Sequence, residues 1–581
     1  MKHFSFVLNS RIIRMESIRV DKVLPLTSNW QTATQSYNKS RWEIIRPRLF
    51  FLLFLFLISY NAVCHFSNVS RDDSDFSEFF PVSPSRNSDA CPQVGPLKPS
   101  NHSQLASELD ALYSTDTIKL AAYVILGSAV QIPTESYDDL APVGQDPRWG
   151  VFSMLHQFLE STFPTTYATL NVTRVNTYGL VFHWQGSDPS IKPVLMTAHQ
   201  DVVPVDPSTV DQWLHPPFSG TWIWGRGSCD DKSDLIAVQR IAIDAMIKQG
   251  FSPRRTFVLA FGIDEEASGL EGAGHLAQYL ESTYGTDGFA MLLDEGGNTP
   301  FGPDVIFAMP SLSEKGYFDA RIEISAPGGH SSVPPAHTAI GMLSSMLVAI
   351  EANPHVPELA RSGTAFAMTQ CTASYAPEYP NYLRQLAQEA VHNDAALERL
   401  KEGLLASYPL YTAILSTTQA VDLIQGGVKV NALPERVSAV VNHRIAEHSS
   451  VKELQKHLID TVLPIAIKYD LSVDAFGTNI SAGSGGAGHV VLSDSWGTAL
   501  EPSPVTPAGL HDPYQLLAGT IKATLMSSAT YNASGVVVAP MLSLGNTDTQ
   551  FYWNLTKHIF RYTHGRDTDQ YNGLHTINEG E

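Results

Sequence analysis

Short apolar runs that stop abruptly at a histidine or at carboxylates recur through the middle of this chain. KPVLMTAH ends at His199, RTFVLAFGIDEE ends at Glu266, and GFAMLLDEGG runs into Asp294 and Glu295. Near-continuous hydrophobicity over a few residues reads as strands buried on both faces, the habit of a parallel sheet. Between them SDLIAVQRIAIDAMIKQG, bounded by Ser233 and Gly250, is apolar round most of its surface and reads as a largely buried helix. Strands alternating with helices predict an α/β domain with a mostly parallel central sheet. In such sheets sites gather at the carboxyl ends of the strands, so the three polar clusters are expected to meet in space.

The pattern changes near Ser313. YFDARIEISA alternates as an antiparallel strand does, and SVKELQKHLIDTVLPIAIKYD is an amphipathic helix followed by the strand LSVDAF. An inserted α+β domain with an antiparallel sheet is expected over 313–477. The first domain then comprises 106–312 and 478–581, with the glycine-rich SAGSGGAG (Ser481–Gly488) as the flexible return. The stretch from about Asn353 to Gln425 reads as an extension of the insert.

The N-terminal pattern is different again. LFFLLFLFLI continues to Cys64, and residues 49–64 would span about 24 Å as a helix, enough for a thin membrane. Nine Lys/Arg against three Asp/Glu precede it, and Asp72, Asp73, Asp75 and Glu78 follow. The excess of basic residues on the N-terminal side predicts a type II anchor, with 1–48 cytosolic and the remainder in a vacuolar or secretory lumen. Acceptor triplets at Asn68, Asn101, Asn171, Asn479, Asn532 and Asn554 agree with that compartment. The Ser, Asp and Pro content of 65–105 reads as a stalk, where cleavage would release the rest.

Composition narrows the function. The 581 residues carry a net charge of −20, which excludes a nucleic-acid surface, and 43% hydrophobic content indicates globular domains. The four cysteines are too few for a disulfide scaffold and suit no zinc ribbon. They leave room for one bridge, Cys91 to Cys371 being one pairing that spacing does not determine.

Candidate chemistry lies in His199 and Asp201, the aspartates of WGRGSCDDKSD, the acids at 264–266 and 294–295, and GLHTINE near the end. Taken singly, a His-x-Asp triplet is an ordinary strand end and acidic clusters are solvated faces. Yet Glu265 and Glu266 close an apolar strand, where casual charge is costly. Histidine with carboxylates is a zinc donor set, and two-metal sites need a carboxylate that bridges the ions. No HExxH, phosphate-binding loop or nucleophile elbow competes.

In order and spacing, AHQDVVPV, W…HPPFSG…WGRGSCDDK, DEEASGLEGA, LDEGG, GGHSS, VKVNALPE and LHTINE resemble the co-catalytic zinc aminoacylase/carboxypeptidase superfamily. Within it they are similar to the Gly-X carboxypeptidase (carboxypeptidase S) family, from about Leu109 to Glu579. The resemblance implies two zinc ions per chain. His199 would bind one, with Asp201 orienting its imidazole; Asp230 would bridge, commonly with a cis peptide to Asp231; Glu266 and His575 would hold the second. Glu295 is favoured as the remaining ligand, with Asp294 left open, and His558 and His564 are the nearby rivals of His575. Glu265 would be the general base. The insert resembles the family's lid/dimerisation domain: His330 matches a histidine that steadies the oxyanion, often across a homodimer, and Asn431 and Arg444 match residues that hold the substrate's terminal carboxylate. The family continues past HTINE with a helix, so the resemblance implies a truncated C-terminus or a tolerated bare end. The function implied is a carboxypeptidase acting on small peptides. An N-acyl-amino-acid hydrolase is the alternative, and a catalytically dead membrane-anchored binding protein is argued against by the intact ligand set.

Overall fold

The computed structural model describes residues 90–221, 223–236, 242–297, 305–480, 483–528, 535–564 and 573–580. The expected tail, the apolar stretch 49–64 and the stalk up to residue 89 lie outside these residues. Among the described residues no helix is long and apolar enough to cross a membrane.

The first domain is built on an eight-stranded sheet. Its spatial order is Asn171–Val175, Gly179–Trp184, Phe257–Gly262, Val194–His199, Met291–Asp294, Ile559–Arg561, Ser311–Glu314 and Met541–Ser543. The three apolar runs noted above occupy the middle, where both faces are covered. Leu155, Leu159, Phe182 and Phe261 pack on one side, and Leu276, Leu280, Phe289 and Leu292 on the other. These central ladders are parallel, as their continuous hydrophobicity predicts. The sheet as a whole is mixed rather than mostly parallel. The outer hairpin Asn171–Trp184 is antiparallel and turns through Asn176 and Thr177, both at positive φ, a geometry that matches the strand twist. Where Ile559–Arg561 meets Ser311, the pairing is again antiparallel. The register sets His199 opposite Gly262, so two polar strand ends finish side by side. The helix expected from Ser233 is seen as a helical start over 232–236 and as Ala242–Lys248; residues 237–241 are outside the description.

The insert carries a six-stranded sheet in the order Thr418–Gly426, Arg436–Ile445, Gly316–Ser325, Gly488–Asp494, Leu471–Ala475 and Thr478–Ile480. Helices Ala339–Ala352 and Val451–Lys468 cover one face, burying Phe318, Ile322, Met346 and Leu458. The second helix starts where Ser450 caps it by accepting the Glu453 N–H at 3.2 Å. One expected boundary is corrected. Gly488–Asp494 pairs antiparallel with Gly316–Ser325 and parallel with Leu471–Ala475, so the return to the first domain follows Asp494 rather than residue 477. The described part of SAGSGGAG, residues 483–488, is therefore a turn within the insert, held by the Asp470 carboxylate, which accepts the Ser484 N–H at 2.7 Å. The sequence favours a return at 481–488 because glycine enrichment marks a turn without saying what the turn joins.

The extension contains helices Thr364–Tyr375, Asn381–Ala390, Asp394–Ser407 and Leu410–Leu415. Their core includes Leu542 of the edge strand Met541–Ser543, so they cover an edge of the first domain's sheet. Cys371 in the first of these helices is disulfide-bonded to Cys91. Gln93 bonds both backbone groups of Val538, and the Leu97 N–H donates to Gly519 at 2.8 Å. The expected stalk is thus joined to the folded body from residue 91 onward.

Candidate metal centre

His199 is the last residue of its strand and is buried. One ring nitrogen, Nδ1, faces Asp201 Oδ1 at 3.2 Å. The same buried carboxylate accepts the Glu265 N–H at 3.2 Å and the Glu266 N–H at 3.1 Å, so it ties the ends of two neighbouring strands together. A ligating histidine needs such a partner on its second nitrogen to hold its ring.

The other nitrogen, Nε2, lies 3.0 Å from Asp230 Oδ1 and 3.3 Å from Glu295 Oε1. Asp230 turns its second oxygen away: Oδ2 is 3.2 Å from His575 Nε2, which is itself 3.0 Å from Glu266 Oε1. Donor atoms of His199, Asp230 and Glu266 lie within 4.8 Å of one another, as do those of His199, Asp231 and Glu295. The Asp230–Asp231 peptide bond is cis.

The chemistry of this donor set fits divalent cations. Among the described residues no lysine or arginine pairs with Asp230, Glu265, Glu266 or Glu295. Arg226 is engaged by Glu579, Arg561 by Glu314, and Lys232 donates to the carbonyls of Ala129 and Ile132. Burial and surrounding negative charge push the Glu265, Glu295 and Asp231 carboxyls well above the usual range. The positive partners are two imidazoles. Burial opposes charge on His199, yet Glu295, Asp201 and Asp230 hold it well above its ordinary value. Hydrogen bonds to Asp230 and Glu266 push His575 up to about 10. A cluster whose acids face two imidazoles and no lysine or arginine among the described residues is one that two dications would balance, with neutral imidazoles ligating.

Seven of the residues singled out from the sequence converge here: His199, Asp201, Asp230, Glu265, Glu266, Glu295 and His575. Asp294 faces elsewhere, with Oδ1 accepting the Thr197 hydroxyl at 2.6 Å. Of the rival histidines, His564 is held by Tyr562 and burial pushes it down to about 4, and His558 lies outside the cluster. His330 and Asn431 sit together on an exposed ribbon of the insert, where the Ser331 N–H donates to Asn431 O at 3.2 Å. The ribbon is not brought to the acidic cluster. Arg444 does reach the first domain: Nη1 donates to Asn546 Oδ1 at 2.9 Å, with the guanidinium 4.9 Å from the Tyr317 ring centre.

Four residues were given no role of their own from the sequence. Asp231 accepts the His199 N–H at 3.2 Å. Asn546 anchors Arg444. Asp548 is buried against Gly262, where an added Cβ would lie 2.6 Å from its carboxylate. Glu579 is fully buried and receives the backbone of the Asp230 loop. Two of them left a signal, Asp231 as the second aspartate of DDK and Glu579 as the acid closing LHTINE.

Residues 195–579 match the sequence model of peptidase family M20/M25/M40. Carboxypeptidase S of Saccharomyces cerevisiae is 38% identical over 84% of this chain and 85% of its own length. The N-fatty-acyl-amino acid synthase/hydrolase PM20D1 of Homo sapiens is 31% identical over 83% of this chain and 88% of its own. The structure of human carnosine dipeptidase 1 superposes with a TM-score of 0.53 at 15% identity, covering 83% of this chain and 95% of that one, a likeness of fold.

Proposed function

The chain belongs to peptidase family M20/M25/M40, and we infer from this that it is a metallo-carboxypeptidase releasing C-terminal residues from small peptides of Gly-X type with two zinc ions. The observation that carries the two-metal reading is the division of Asp230: one oxygen faces His199 and the other faces His575. His199, Asp230 and Glu295 would hold one ion; Asp230, Glu266 and His575 would hold the other. When bound, the ions supply Lewis acidity that polarises the scissile carbonyl and acidifies the attacking water. Glu265 takes the proton from that water and delivers it to the leaving amine, while Asp201 keeps the His199 ring oriented. Arg444, steadied by Asn546, offers a two-pronged guanidinium to the substrate's terminal carboxylate, with Asn431 beside it in the bound state.

His330 would serve the oxyanion from the second copy of a homodimer. The exposed apolar side chains of Val333, Leu423, Ile424, Val428 and Val430 on this part of the insert support a self-association surface. The protein would face a vacuolar or secretory lumen, glycosylated and held by a type II anchor over 49–64 unless the stalk is cleaved.

The similarity to PM20D1 favours one second reading, hydrolysis of N-fatty-acyl amino acids through the same metals and carboxylate site. Turnover of an N-blocked Gly-Leu dipeptide against an N-fatty-acyl amino acid separates the two. Faster release of leucine from the blocked dipeptide is expected. A preference for the acyl substrate would reassign the chain to the second reading, and turnover of neither by protein carrying two zincs would make it a binding protein.

A further inference from the structure

We infer that Glu579 is a positioning residue of the metal centre, whose carboxylate locks the loop bearing Asp230 to the C-terminal segment bearing His575. The inference rests on the reading of Asp230 and His575 as zinc ligands. Glu579 is fully buried, and a carboxylate removed from water must be matched by donors. All its partners come from one stretch of chain. Oε2 takes a hydrogen bond from Arg226 Nη1 at 2.5 Å, and Oε1 takes the N–H groups of Gly227 at 3.0 Å, Cys229 at 3.1 Å and Asp230 at 3.4 Å. Amides of one loop aimed at a single oxygen make an anion nest filled by the chain's own acid.

The last of those amides belongs to Asp230, whose side chain divides between His199 and His575. The segment around Glu579 is stitched down on both sides. The Gly225 N–H donates to Glu579 O at 3.0 Å, and the Leu214 N–H to Asn578 Oδ1 at 2.6 Å. His575 stands four residues before Glu579, in a left-handed backbone conformation that a non-glycine residue adopts only when its surroundings hold it there. The carboxylate therefore sets the spacing between one bridging ligand and one terminal ligand that are far apart in sequence. A partner one step removed from a metal ligand typically changes metal affinity by about 10- to 100-fold.

The test is zinc binding by the purified full chain, titrated against a chromophoric chelator, with near-ultraviolet circular dichroism reporting the fold. Wild type is expected to hold two ions. Glu579→Ala should weaken the less tightly held ion by about 10-fold or more. The double variant Arg226→Met/Glu579→Gln keeps a neutral oxygen for the three amides and removes the ion pair; it should stay within about threefold of wild type, since that oxygen is what holds the loop. If Glu579→Ala does not fold, Glu579→Asp, which keeps the charge but is one methylene short of the loop, should weaken the same ion. Wild-type affinity in both Glu579→Ala and Glu579→Asp overturns the inference. So does a double variant as weak as Glu579→Ala, because the ion pair and not the amide nest would then matter. Wild-type protein that binds no zinc would instead overturn the metalloenzyme reading itself, and this inference with it.

Discussion

His575 Nε2 lies 3.0 Å from Glu266 Oε1, although 309 residues of chain separate them. The whole insert folds between the two. A histidine at that distance in sequence meets this acid only because Ile559–Arg561 re-enters the sheet beside Met291–Asp294 and leads the last residues back over the site. His575→Ala is expected to lower the zinc content towards one ion per chain and to cut hydrolysis by orders of magnitude. His558→Ala and His564→Ala should leave both ions bound. Metal analysis of the three purified variants decides it, and two ions in His575→Ala would remove His575 from the ligand set.

Glu265 stands beside the ligands, its backbone N–H held by Asp201 Oδ1 at 3.2 Å. Glu265→Ala should therefore keep two zincs while kcat falls by about 10²- to 10⁴-fold, the range for loss of a general base. Loss of an ion on this change would turn Glu265 from base into ligand.

The contact of Arg444 with Asn546 predicts a binding defect. Arg444→Ala should raise KM for a blocked dipeptide with a free C-terminal carboxylate and leave the slow turnover of its C-terminal amide unchanged. Equal losses on both substrates would place Arg444 outside the carboxylate site.

The insert holds a group of three histidines, His443 buried and His355 and His457 half-buried. The rings of His355 and His457 are 4.0 Å apart, and His443 lies 6.3 Å from His355. Burial, reinforced by neighbouring histidines, pushes His355 down to about 3 and His443 to about 4, with Lys315 also facing His355 and Asp319 facing His443. An unfolded histidine titrates near ~6.5. Between those values the unfolded chain binds protons that the folded chain refuses, so this contribution is complete above about pH 6.5 and is lost as pH falls towards 4. The urea midpoint of zinc-loaded protein should drop between pH 7 and pH 5. His355→Leu should lessen that drop, and an unchanged drop would show that other groups govern acid stability.

Legibility in the sequence followed chain distance. His199, Glu265, Glu266 and Glu295 could be read because each closes an apolar run, and a buried parallel strand hands its next polar residue to the sheet's carboxyl edge. Asp230 and His575 sit in irregular segments with no periodicity, so only resemblance to a family singled them out. The choice between Asp294 and Glu295 needed the position of Thr197 on the adjacent strand, which claims Asp294. Glu579 was visible only as the acid closing LHTINE; its task of receiving backbone amides could not be read, because backbone donors leave no mark in a sequence. The end of the insert was misjudged for a related reason. The pairing partners of Gly488–Asp494 lie on both sides of a long helix, and which strands a segment joins is not written in its own residues.

Asp230, its two oxygens turned to different histidines, is placed to bridge two metal ions. Anomalous diffraction at the zinc edge from crystals of the purified protein reads out that bridge. Two peaks about 3.5 Å apart are expected, one beside His199 and Glu295 and the other beside Glu266 and His575, with Asp230 between them. A single peak, or two peaks with Asp230 contacting only one, would contradict it.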